Sequence, residues 1–292
     1  MKTPAVLAPL QEEGLFDEVL YQLKSGKEAT VYVVRKGDQT LCAKVYKDLT
    51  RRSFRQATQY REGRKTRNSR DARAMEKGSK FGKHAQEESW RNAEVEALFT
   101  LARVGVRVPQ PHGCYDGVML MDMVCDDEGG PAPRLDELVF SREEALEIHQ
   151  ELLQEVIKML CAGLIHGDLS EFNILMDPYG PVIIDLPQAV NASANAHAET
   201  LLLRDVENLS RFFGQFAPEL LDSRYGQEIW QAYENGELTP DFLLTGEAEE
   251  DIHQADLVSV LREIEAARRE EEMRQQRLRG ETDDSPNDPG YF

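Results

Sequence analysis

One short segment constrains the fold of this 292-residue chain more than any other. Residues 166–173 read His-Gly-Asp-Leu-Ser-Glu-Phe-Asn and lie between two apolar runs. The spacing His-x-Asp-x-x-x-x-Asn is typical of the catalytic loop of phosphotransfer enzymes. Asp168 would accept a hydroxyl proton or orient the attacking oxygen, Asn173 would bind Mg²⁺ through its side-chain carbonyl, and His166 would brace the loop. The alternative interpretation is a turn with an Asx cap before a strand.

A second carboxylate follows at the end of an apolar strand. Residues 181–187 read Pro-Val-Ile-Ile-Asp-Leu-Pro, which places Asp185 where protein kinases carry their second metal-binding aspartate. We therefore predict that Asp185 and Asn173 hold Mg²⁺ on the β- and γ-phosphates of ATP. The Phe and Gly that follow this aspartate in ordinary protein kinases are absent here. An acidic turn residue that closes a strand is the alternative interpretation.

A lysine lies inside another apolar run, in the sequence Leu-Cys-Ala-Lys-Val-Tyr of residues 41–46. A buried amine needs a partner, and Ala-x-Lys fits the strand lysine that contacts the α- and β-phosphates of ATP and pairs with a helix glutamate. Glu94 is the preferred partner of Lys44, and Glu96 is the second choice. The alternative is an edge-strand lysine that extends its amine into solvent.

The turn between the first two predicted strands contains Ser25, Gly26 and Lys27. It matches neither a Walker A motif nor a Gly-x-Gly-x-x-Gly loop, because it has one glycine. A hydroxyl, a backbone N–H and an amine at such a turn can still meet phosphate oxygens. Taken alone, the segment would be an ordinary hairpin turn.

Hydrophobic periodicity predicts a strand-rich first part and a helix-rich second part. Strands are predicted at 19–23, 30–35, 40–46 and 118–124, and helices at 88–104, 142–162, 196–213, 218–234 and 249–279. Ser141 is the predicted N-cap of the helix at 142–162. We divide the chain into an N-terminal segment (1–18), an N-lobe (19–124), a C-lobe (125–246) and a charged C-terminal helix with a disordered tail (247–292).

The charge of the chain is distributed unevenly. The formal net charge is −19, but residues 51–91 carry thirteen Lys and Arg against five acids. The acidic total argues against broad binding of nucleic acid or anionic lipid. The basic span, predicted to be a flexible loop at about 51–83, is the candidate contact for RNA or a ribosome, and a solvated mobile loop is the alternative.

The sequence also indicates a compartment. No apolar run approaches the roughly 18 residues of a membrane span, so we expect no membrane partner. The four cysteines lack the spacing of a metal or disulfide motif. We expect them to be small core residues in a reducing, cytoplasmic compartment.

Four motifs together resemble the RIO family of atypical serine/threonine kinases. They are Ser-Gly-Lys-Glu-Ala with Val-Tyr at 25–32, Ala-Lys-Val-Tyr-Lys at 43–47, the motif at 166–173, and Ile-Ile-Asp at 183–185. Pro-Ala-Pro at 131–133 also resembles that family. The resemblance covers about residues 20–213 and implies an α+β, two-lobed kinase-like fold. Its N-lobe is an antiparallel sheet, its C-lobe is mainly helical, and it has no activation segment. The family's Asp-(Val/Ile)-Ser-Gln is Asp-Leu-Pro-Gln at 185–188 here.

The resemblance also implies a site and an activity. ATP would bind between the lobes with its adenine against the backbone near Asp122 and Val124, together with Mg²⁺ or, alternatively, Mn²⁺. Asp168 would be the catalytic base, Asn173 and Asp185 the metal ligands, and Lys44 would contact the phosphates. We expect a serine/threonine protein kinase that phosphorylates itself and other proteins.

Two alternative functions stay open at this point. In the RIO family the counterpart of Asp185 can itself be phosphorylated, so one alternative is an ATPase switch that acts as an assembly factor in maturation of the small ribosomal subunit. The other is a small-molecule kinase of the aminoglycoside or choline type, because those enzymes share His-Gly-Asp at 166–168.

Overall fold

The computed structural model describes residues 2–26, 29–47 and 93–247. Several predictions therefore lie outside the described residues. They concern Lys27, the basic span at 51–83, the start of the helix at 88–104, and the helix and tail at 249–292.

The first part of the described chain forms a five-stranded antiparallel sheet in the order β1-β2-β3-β5-β4. Its strands are β1 (Glu18–Ser25), β2 (Ala29–Lys36), β3 (Gln39–Tyr46), β4 (Pro111–Tyr115) and β5 (Val118–Asp122). A two-residue turn joins β2 to β3, and its first residue, Gly37, has a φ of +57°, a region that glycine enters without steric cost. The Gly37 N–H donates to Asp17 Oδ2 at 2.7 Å, which fixes this turn.

The N-terminal segment packs on this sheet. A short helix, α1 (Ala8–Glu12), starts with a proline near its first position, where a missing N–H costs nothing. Leu7, Leu10 and Phe16 are almost completely buried and form one cluster with apolar residues of β2 and β5 such as Val34 and Leu120. Residues 1–18, predicted as a separate segment, therefore contribute to the core of the N-lobe in their described part.

A helix at 93–103, here α2, follows the sheet strands β1–β3 and carries Glu94. Its apolar face, which includes Leu98 and Leu101, is buried in the main core. Arg107, just after this helix, ties it to the C-lobe. The Arg107 backbone N–H donates to Glu155 Oε2 at 2.8 Å, and its guanidinium donates to Asp177 Oδ1 at 2.6 Å. Because Glu155 is buried, these bonds hold the end of α2 in a fixed position.

The C-lobe is mainly helical. Its elements are α3 (Arg142–Cys161), β6 (Leu164–Ile165), β7 (Ile174–Asp177), β8 (Gly180–Ile183), β9 (Val190–Asn191), α4 (Ala198–Phe213) and α5 (Tyr225–Glu234). Ser141 caps α3 as predicted, since its Oγ accepts the Glu144 N–H while the Glu144 carboxylate accepts the Ser141 N–H. The strands form two small antiparallel pairs, β6 with β9 and β7 with β8.

Two differences from the sequence-based elements have a clear local cause. Strand β4 was not predicted, because Pro111 and Gly113 interrupt it, but it is an edge strand and tolerates both. The single helix predicted at 218–234 is a 3₁₀ turn (Pro218–Asp222) followed by α5. Ser223 separates them with an extended ψ of 149°, and its hydroxyl bonds the Leu220 carbonyl.

The prediction for the cysteines is partly wrong. None of the four cysteines, all of which lie in the described ranges, forms a disulfide, and Cys42 is buried, but Cys114 and Cys161 are exposed. Cys114 lies in the edge strand β4 and Cys161 is the last residue of α3, and both positions leave a side chain open to solvent. Across the described ranges, no helix is both long and apolar enough to cross a membrane.

One buried histidine makes the stability of this fold depend on pH. His149 lies between α3 and α4, where its Nε2 is 3.1 Å from Ser210 Oγ and its ring contacts Phe213 and Tyr225. Burial lowers its pKa from 6.5 to about 4. The folded chain therefore favours the neutral ring, so its stabilisation is complete above pH 6.5 and is lost as the pH falls from 6.5 towards 4. We expect the free energy of unfolding to decrease by about 2 kcal/mol from this group between pH 7 and pH 5.

Urea unfolding at these two pH values tests this expectation. Between pH 7 and pH 5 the free energy of unfolding of His149→Gln should decrease by about 2 kcal/mol less than that of the unmodified chain, because glutamine does not titrate. His197→Gln, at an exposed histidine just before α4, is the matched control and should behave like the unmodified chain. An equal loss in His149→Gln and the unmodified chain would contradict the prediction.

Candidate active site

The predicted catalytic loop, residues 166–173, connects β6 to β7, and the β7–β8 hairpin returns the chain to it. The Ile184 N–H donates to the Asn173 carbonyl at 2.9 Å. His166 Nδ1 accepts the Asp168 N–H at 3.3 Å, so Nε2 carries the ring proton and donates to the Ile184 carbonyl at 3.1 Å. Burial lowers the pKa of His166, which agrees with a neutral ring. The histidine thus holds Asp168 and Asp185 on adjacent segments.

Lys44 in β3 joins the two lobes. Its Nζ lies 2.5 Å from Glu94 Oε1 on α2 and 3.0 Å from Asp185 Oδ1 at the end of β8. Burial disfavours the ammonium, but the two carboxylates outweigh it and raise the pKa of Lys44. Glu94, not Glu96, is the partner, since Glu96 is exposed. The structure therefore brings together three of the predicted site residues.

The two carboxylates that contact Lys44 differ in exposure. The side chain of Glu94 is 7% exposed, whereas that of Asp185 is 50% exposed. Burial would raise the pKa of Asp185, but the charge and hydrogen bond of Lys44 lower it below its usual value. Asp185 is therefore an ionised carboxylate with one oxygen on Lys44 and a face open to the cleft. Its φ of +67° is unusual for a residue with a side chain, and such strain concentrates at functional sites.

Tyr46 is a site residue that the sequence did not reveal. It follows Lys44 by two positions on β3, and Lys44 Nζ lies 5.7 Å from the centre of its ring. Burial and the Glu94 carboxylate raise the pKa of the Tyr46 hydroxyl, so the hydroxyl stays neutral beside the ion pair. A residue two positions away in a strand projects to the same side, which is the signal that would have found it.

The side-chain amide of Asn173 has its oxygen available for a hard cation. Its Nδ2 donates to the Asp168 carbonyl at 2.8 Å. This bond leaves the amide oxygen as the atom that can face a cation, and the open carboxylate of Asp185 is a second oxygen donor. Oxygen ligands of this type suit Mg²⁺, which keeps several waters and binds through one or two carboxylates together with phosphates. The residues present therefore fit the predicted metal.

Asp168 is exposed to the cleft. Its Oδ2 accepts a hydrogen bond from Gln188 Nε2 at 3.1 Å. Burial raises the pKa of Asp168, Arg204 opposes this shift, and Asp185 adds to it. An accessible carboxylate with a raised pKa is suited to accept a proton from a hydroxyl.

Helix α4 fixes the backbone of the catalytic loop through three polar residues that the sequence did not indicate. Asp205 accepts the N–H groups of Gly167 at 2.7 Å and of Leu169 at 3.0 Å. Asn208 Nδ2 donates to the Leu169 carbonyl at 3.0 Å, and the Arg204 guanidinium donates to the Gly167 carbonyl. Burial raises the pKa of Asp205 to about 7, against the two N–H donors and Arg204, which favour the carboxylate.

The signal for this contact was present in the sequence. Asp205 is 1% exposed and lies on the apolar face of α4, among buried residues such as Leu202, Val206 and Leu209. A carboxylate on the core face of an amphipathic helix needs internal donors, and the nearest unsatisfied N–H groups are in an irregular loop.

The turn between β1 and β2 is held by a lysine that was not predicted to act there. Lys47 Nζ donates to Ser25 Oγ and to the Gly26 carbonyl, both at 2.8 Å. The Gly26 N–H donates to the Ala29 carbonyl at 2.9 Å. The predicted contacts of Ser25 and Gly26 with phosphate stay a prediction.

Asp122 and Val124, the predicted adenine contacts, lie at the end of β5 and just after it. The Asp122 N–H donates to the Gln110 carbonyl at 2.9 Å, and the Val124 carbonyl accepts the Ala132 N–H at 3.0 Å. The Asp122 carboxylate lies 2.6 Å from His112 Nε2. These bonds order the segment between the sheet and the C-lobe, and its contact with adenine stays a prediction.

Comparisons with known proteins agree with this geometry. The family model described as RIO domain matches residues 30–225. The chain is 33% identical over 215 residues to the RIO-type serine/threonine-protein kinase Rio1 of Haloferax volcanii, covering 72% of this chain and 68% of that protein. It is 30% identical over 224 residues to the serine/threonine-protein kinase RIO1 of Caenorhabditis elegans, covering 76% of this chain and 42% of that protein. The chain thus spans less than half of the nematode relative.

A solved structure confirms the predicted fold class. The Rio2 kinase of Chaetomium thermophilum, in a complex with ADP, Mg²⁺ and phosphoaspartate, is similar with a TM-score of 0.51 at 21% identity, covering 90% of this chain and 75% of that one. As predicted, there is no activation segment, since only residues 186–197 separate Asp185 from α4. The chain is therefore a member of the RIO family of serine/threonine-protein kinases.

Proposed function

We propose that this chain transfers the γ-phosphoryl group of ATP, in the presence of Mg²⁺, to serine or threonine hydroxyls of proteins, including its own. The observation that carries the proposal is the position of Lys44. Its ammonium lies between Glu94 in the N-lobe and Asp185 in the C-lobe, at 2.5 and 3.0 Å. Protein kinases need this lysine–glutamate pair and this aspartate in place at the same time.

Each residue has a separate role in the proposed reaction. Lys44 binds the α- and β-phosphates, and Asn173 and Asp185 would hold Mg²⁺. The metal, when bound, neutralises charge on the phosphates. Ser25 and Gly26, at the turn fixed by Lys47, face the phosphates from the N-lobe. The Rio2 kinase structure that contains ADP and Mg²⁺ supports these two ligands for a fold of this type.

Asp168 performs the proton transfer. The bond between the γ-phosphorus and the oxygen that bridges it to the β-phosphate breaks, and its electron pair leaves with ADP. A new bond forms between the γ-phosphorus and the oxygen of the acceptor hydroxyl. The hydroxyl proton passes to the carboxylate of Asp168, which faces the cleft and is fixed by the loop contacts from α4.

The relatives named above favour a protein as the acceptor. Both are named serine/threonine-protein kinases, whereas a small-molecule kinase would use the same His-Gly-Asp loop for a small alcohol. Stimulation of ADP release by a panel of aminoglycosides or choline, without phosphorylation of protein, would favour the small-molecule alternative.

A second candidate function is an ATPase switch in which Asp185 is itself phosphorylated, as in an assembly factor for the small ribosomal subunit. The exposure of half of the Asp185 side chain, with one oxygen open to the cleft, supports this candidate. The Rio2 kinase structure contains a phosphoaspartate together with ADP. A ribosomal or RNA contact through the basic span, and a cytoplasmic location, are proposed on the sequence alone.

The first prediction from this proposal tests the phosphoryl transfer itself. The purified chain incubated with labelled ATP and Mg²⁺ should incorporate phosphate on serine or threonine, as located by mass spectrometry. Asp168→Ala should reduce the rate by about 10²–10⁴-fold, because the general base is lost. Lys44→Ala should reduce it by roughly 100-fold or more, because a charge fixed on the phosphates is lost.

Lys36→Ala, at an exposed lysine at the end of β2, is the control for the loss of a positive charge and should keep the original rate. If the Asp168 and Lys44 variants are labelled as strongly as the unmodified chain, the phosphate comes from another enzyme and the proposed activity is refuted.

The second prediction concerns the support of the loop by α4. Asp205→Asn replaces one of the two acceptors for Gly167 and Leu169 by an N–H donor and leaves a buried N–H unpaired, at a cost of about 1–3 kcal/mol. We expect kcat to fall by roughly 10- to 100-fold, because misplacement of a catalytic group by 1 Å can reduce a rate by that much.

Steady-state kinetics and thermal unfolding check the Asp205 variant together. Glu207→Gln is the matched control, because Glu207 is on the exposed face of the same helix and pairs with Arg211, away from the catalytic loop. It should leave kcat unchanged. The same kcat in Asp205→Asn as in the control would show that the loop does not depend on this carboxylate.

The third prediction distinguishes the switch from the kinase. If Asp185 is phosphorylated, the ATP-treated chain should contain a phosphate that hydroxylamine removes, since it attacks acyl phosphates and spares phosphoserine. Mass spectrometry after this treatment should locate the modification at Asp185. Phosphate that resists hydroxylamine entirely would contradict the switch and leave the serine/threonine kinase.

A further inference from the structure

Gln188 connects the metal-binding segment to the proposed base. It lies three residues after Asp185, and its Nε2 donates to Asp168 Oδ2 at 3.1 Å. An ionised carboxylate can only accept hydrogen bonds, so the amide nitrogen, and not the amide oxygen, must face Asp168. The contact is therefore directional, with a neutral donor on one of the two carboxylate oxygens.

The backbone around Gln188 is rigid. Leu186 is 2% exposed, and its carbonyl accepts the Ala189 N–H at 3.0 Å, which closes a tight turn around residues 186–189. Immediately afterwards Val190 in β9 pairs with Ile165 in β6, just before the catalytic loop. Gln188 is half-buried on this turn. Its side chain therefore starts from a fixed point, and little conformational freedom is lost in making the bond to Asp168.

The two carboxylate oxygens of Asp168 have different surroundings, since only Oδ2 accepts the hydrogen bond from Gln188. The backbone of Asp168 is held by His166 and Asn173, but these bonds involve its N–H and carbonyl and do not fix the rotation of the carboxylate. The bond from Gln188 to Oδ2 restricts that rotation. Because Asp168 is exposed, its other oxygen is left for an acceptor hydroxyl.

We propose that Gln188 is a positioning residue for phosphoryl transfer, which holds the Asp168 carboxylate in the orientation that accepts the proton of the acceptor hydroxyl. This proposal rests on the proposed kinase function. Gln188 touches neither nucleotide nor acceptor in it and acts through Asp168 alone. A correct orientation matters most in the transition state, so its loss should reduce kcat and leave nucleotide binding unchanged.

Two substitutions in the full chain separate this role from simple packing. Gln188→Met keeps the length of the side chain and removes the donor, and we expect kcat to fall about 10-fold with KM for ATP within twofold of the original. Gln188→Glu is isosteric but places a second carboxylate against Asp168, and we expect a fall of about 100-fold because the two like charges repel. Calorimetric titration with ADP and Mg²⁺ should give unchanged affinities for both variants.

Gln154→Met is the matched control. Gln154 is also half-buried and donates from Nε2, but to the Phe242 carbonyl at 3.2 Å, between α3 and the segment after α5. This variant should keep kcat, even if its thermal stability falls as much as that of Gln188→Met. An unchanged kcat in Gln188→Met, or a rise in KM and a fall in kcat that Gln154→Met shares, would overturn the proposal.

Crystal structures of the unmodified chain and of Gln188→Met give a readout that does not require activity. The carboxylate of Asp168 should rotate or take two conformations in the variant and should be single in the unmodified chain. The same carboxylate orientation in both structures would also overturn the proposal. If the unmodified chain binds ADP and Mg²⁺ but transfers no phosphate, the kinase function fails, and these structures still decide whether Gln188 orients Asp168.

Discussion

The ion pairs of Lys44 are the interaction on which the rest of the site depends. An ammonium this far from solvent is tolerated only when carboxylates surround it, because an unpaired buried charge is costly. Here one carboxylate comes from α2 in the N-lobe and the other from the end of β8 in the C-lobe. The same electrostatic requirement that stabilises the lysine therefore sets the distance between the two halves of the site. Tyr46, Arg107 and the buried face of α2 then act as supports for that arrangement.

The second constraint is that the backbone N–H and C=O groups of the irregular catalytic loop need hydrogen-bond partners. The catalytic loop makes few backbone hydrogen bonds of its own, and a buried backbone group without a partner is destabilising. Helix α4 supplies the missing partners through Asp205 and Asn208. The N–H groups of Gly167 and Leu169 stabilise the buried Asp205 carboxylate. The same hydrogen bonds hold the peptide groups on both sides of Asp168 in place. The catalytic loop around Asp168 is therefore held in place because buried polar groups of the loop and of α4 must form hydrogen bonds with one another.

The sequence predicted the parts of the site that consist of chemically unusual residues in a fixed order. Lys44 inside an apolar strand, Asp185 after another, and the spacing from Asp168 to Asn173 each conflict with a plain structural role, so they could be recognised without coordinates. Within the described residues most strand and helix positions followed from periodicity, but proline and glycine hide the edge strand β4, and an extended residue, Ser223, interrupts the helix predicted at 218–234. That Asp205 needs internal donors could be inferred from its place on the apolar face of α4, but which groups Lys47, Asp205 and Gln188 contact could not be predicted. These contacts join residues that are 20 to 38 positions apart, and only the tertiary fold decides which polar groups meet.

The unequal exposure of the two partners of Lys44 explains how an acidic chain can accept a triphosphate. An ammonium has three donors, and Glu94 and Asp185 occupy two of them, so one is left for a phosphate oxygen. Glu94 is buried, whereas half of the Asp185 side chain is exposed, so Asp185 is the partner of Lys44 that could also bind a cation. Asp185 would hold Mg²⁺ with its exposed face, while Lys44 would contact a phosphate oxygen through its remaining donor. The net charge of −19 does not oppose binding of a triphosphate here, because the charges that act on the nucleotide are those within a few ångströms of Lys44.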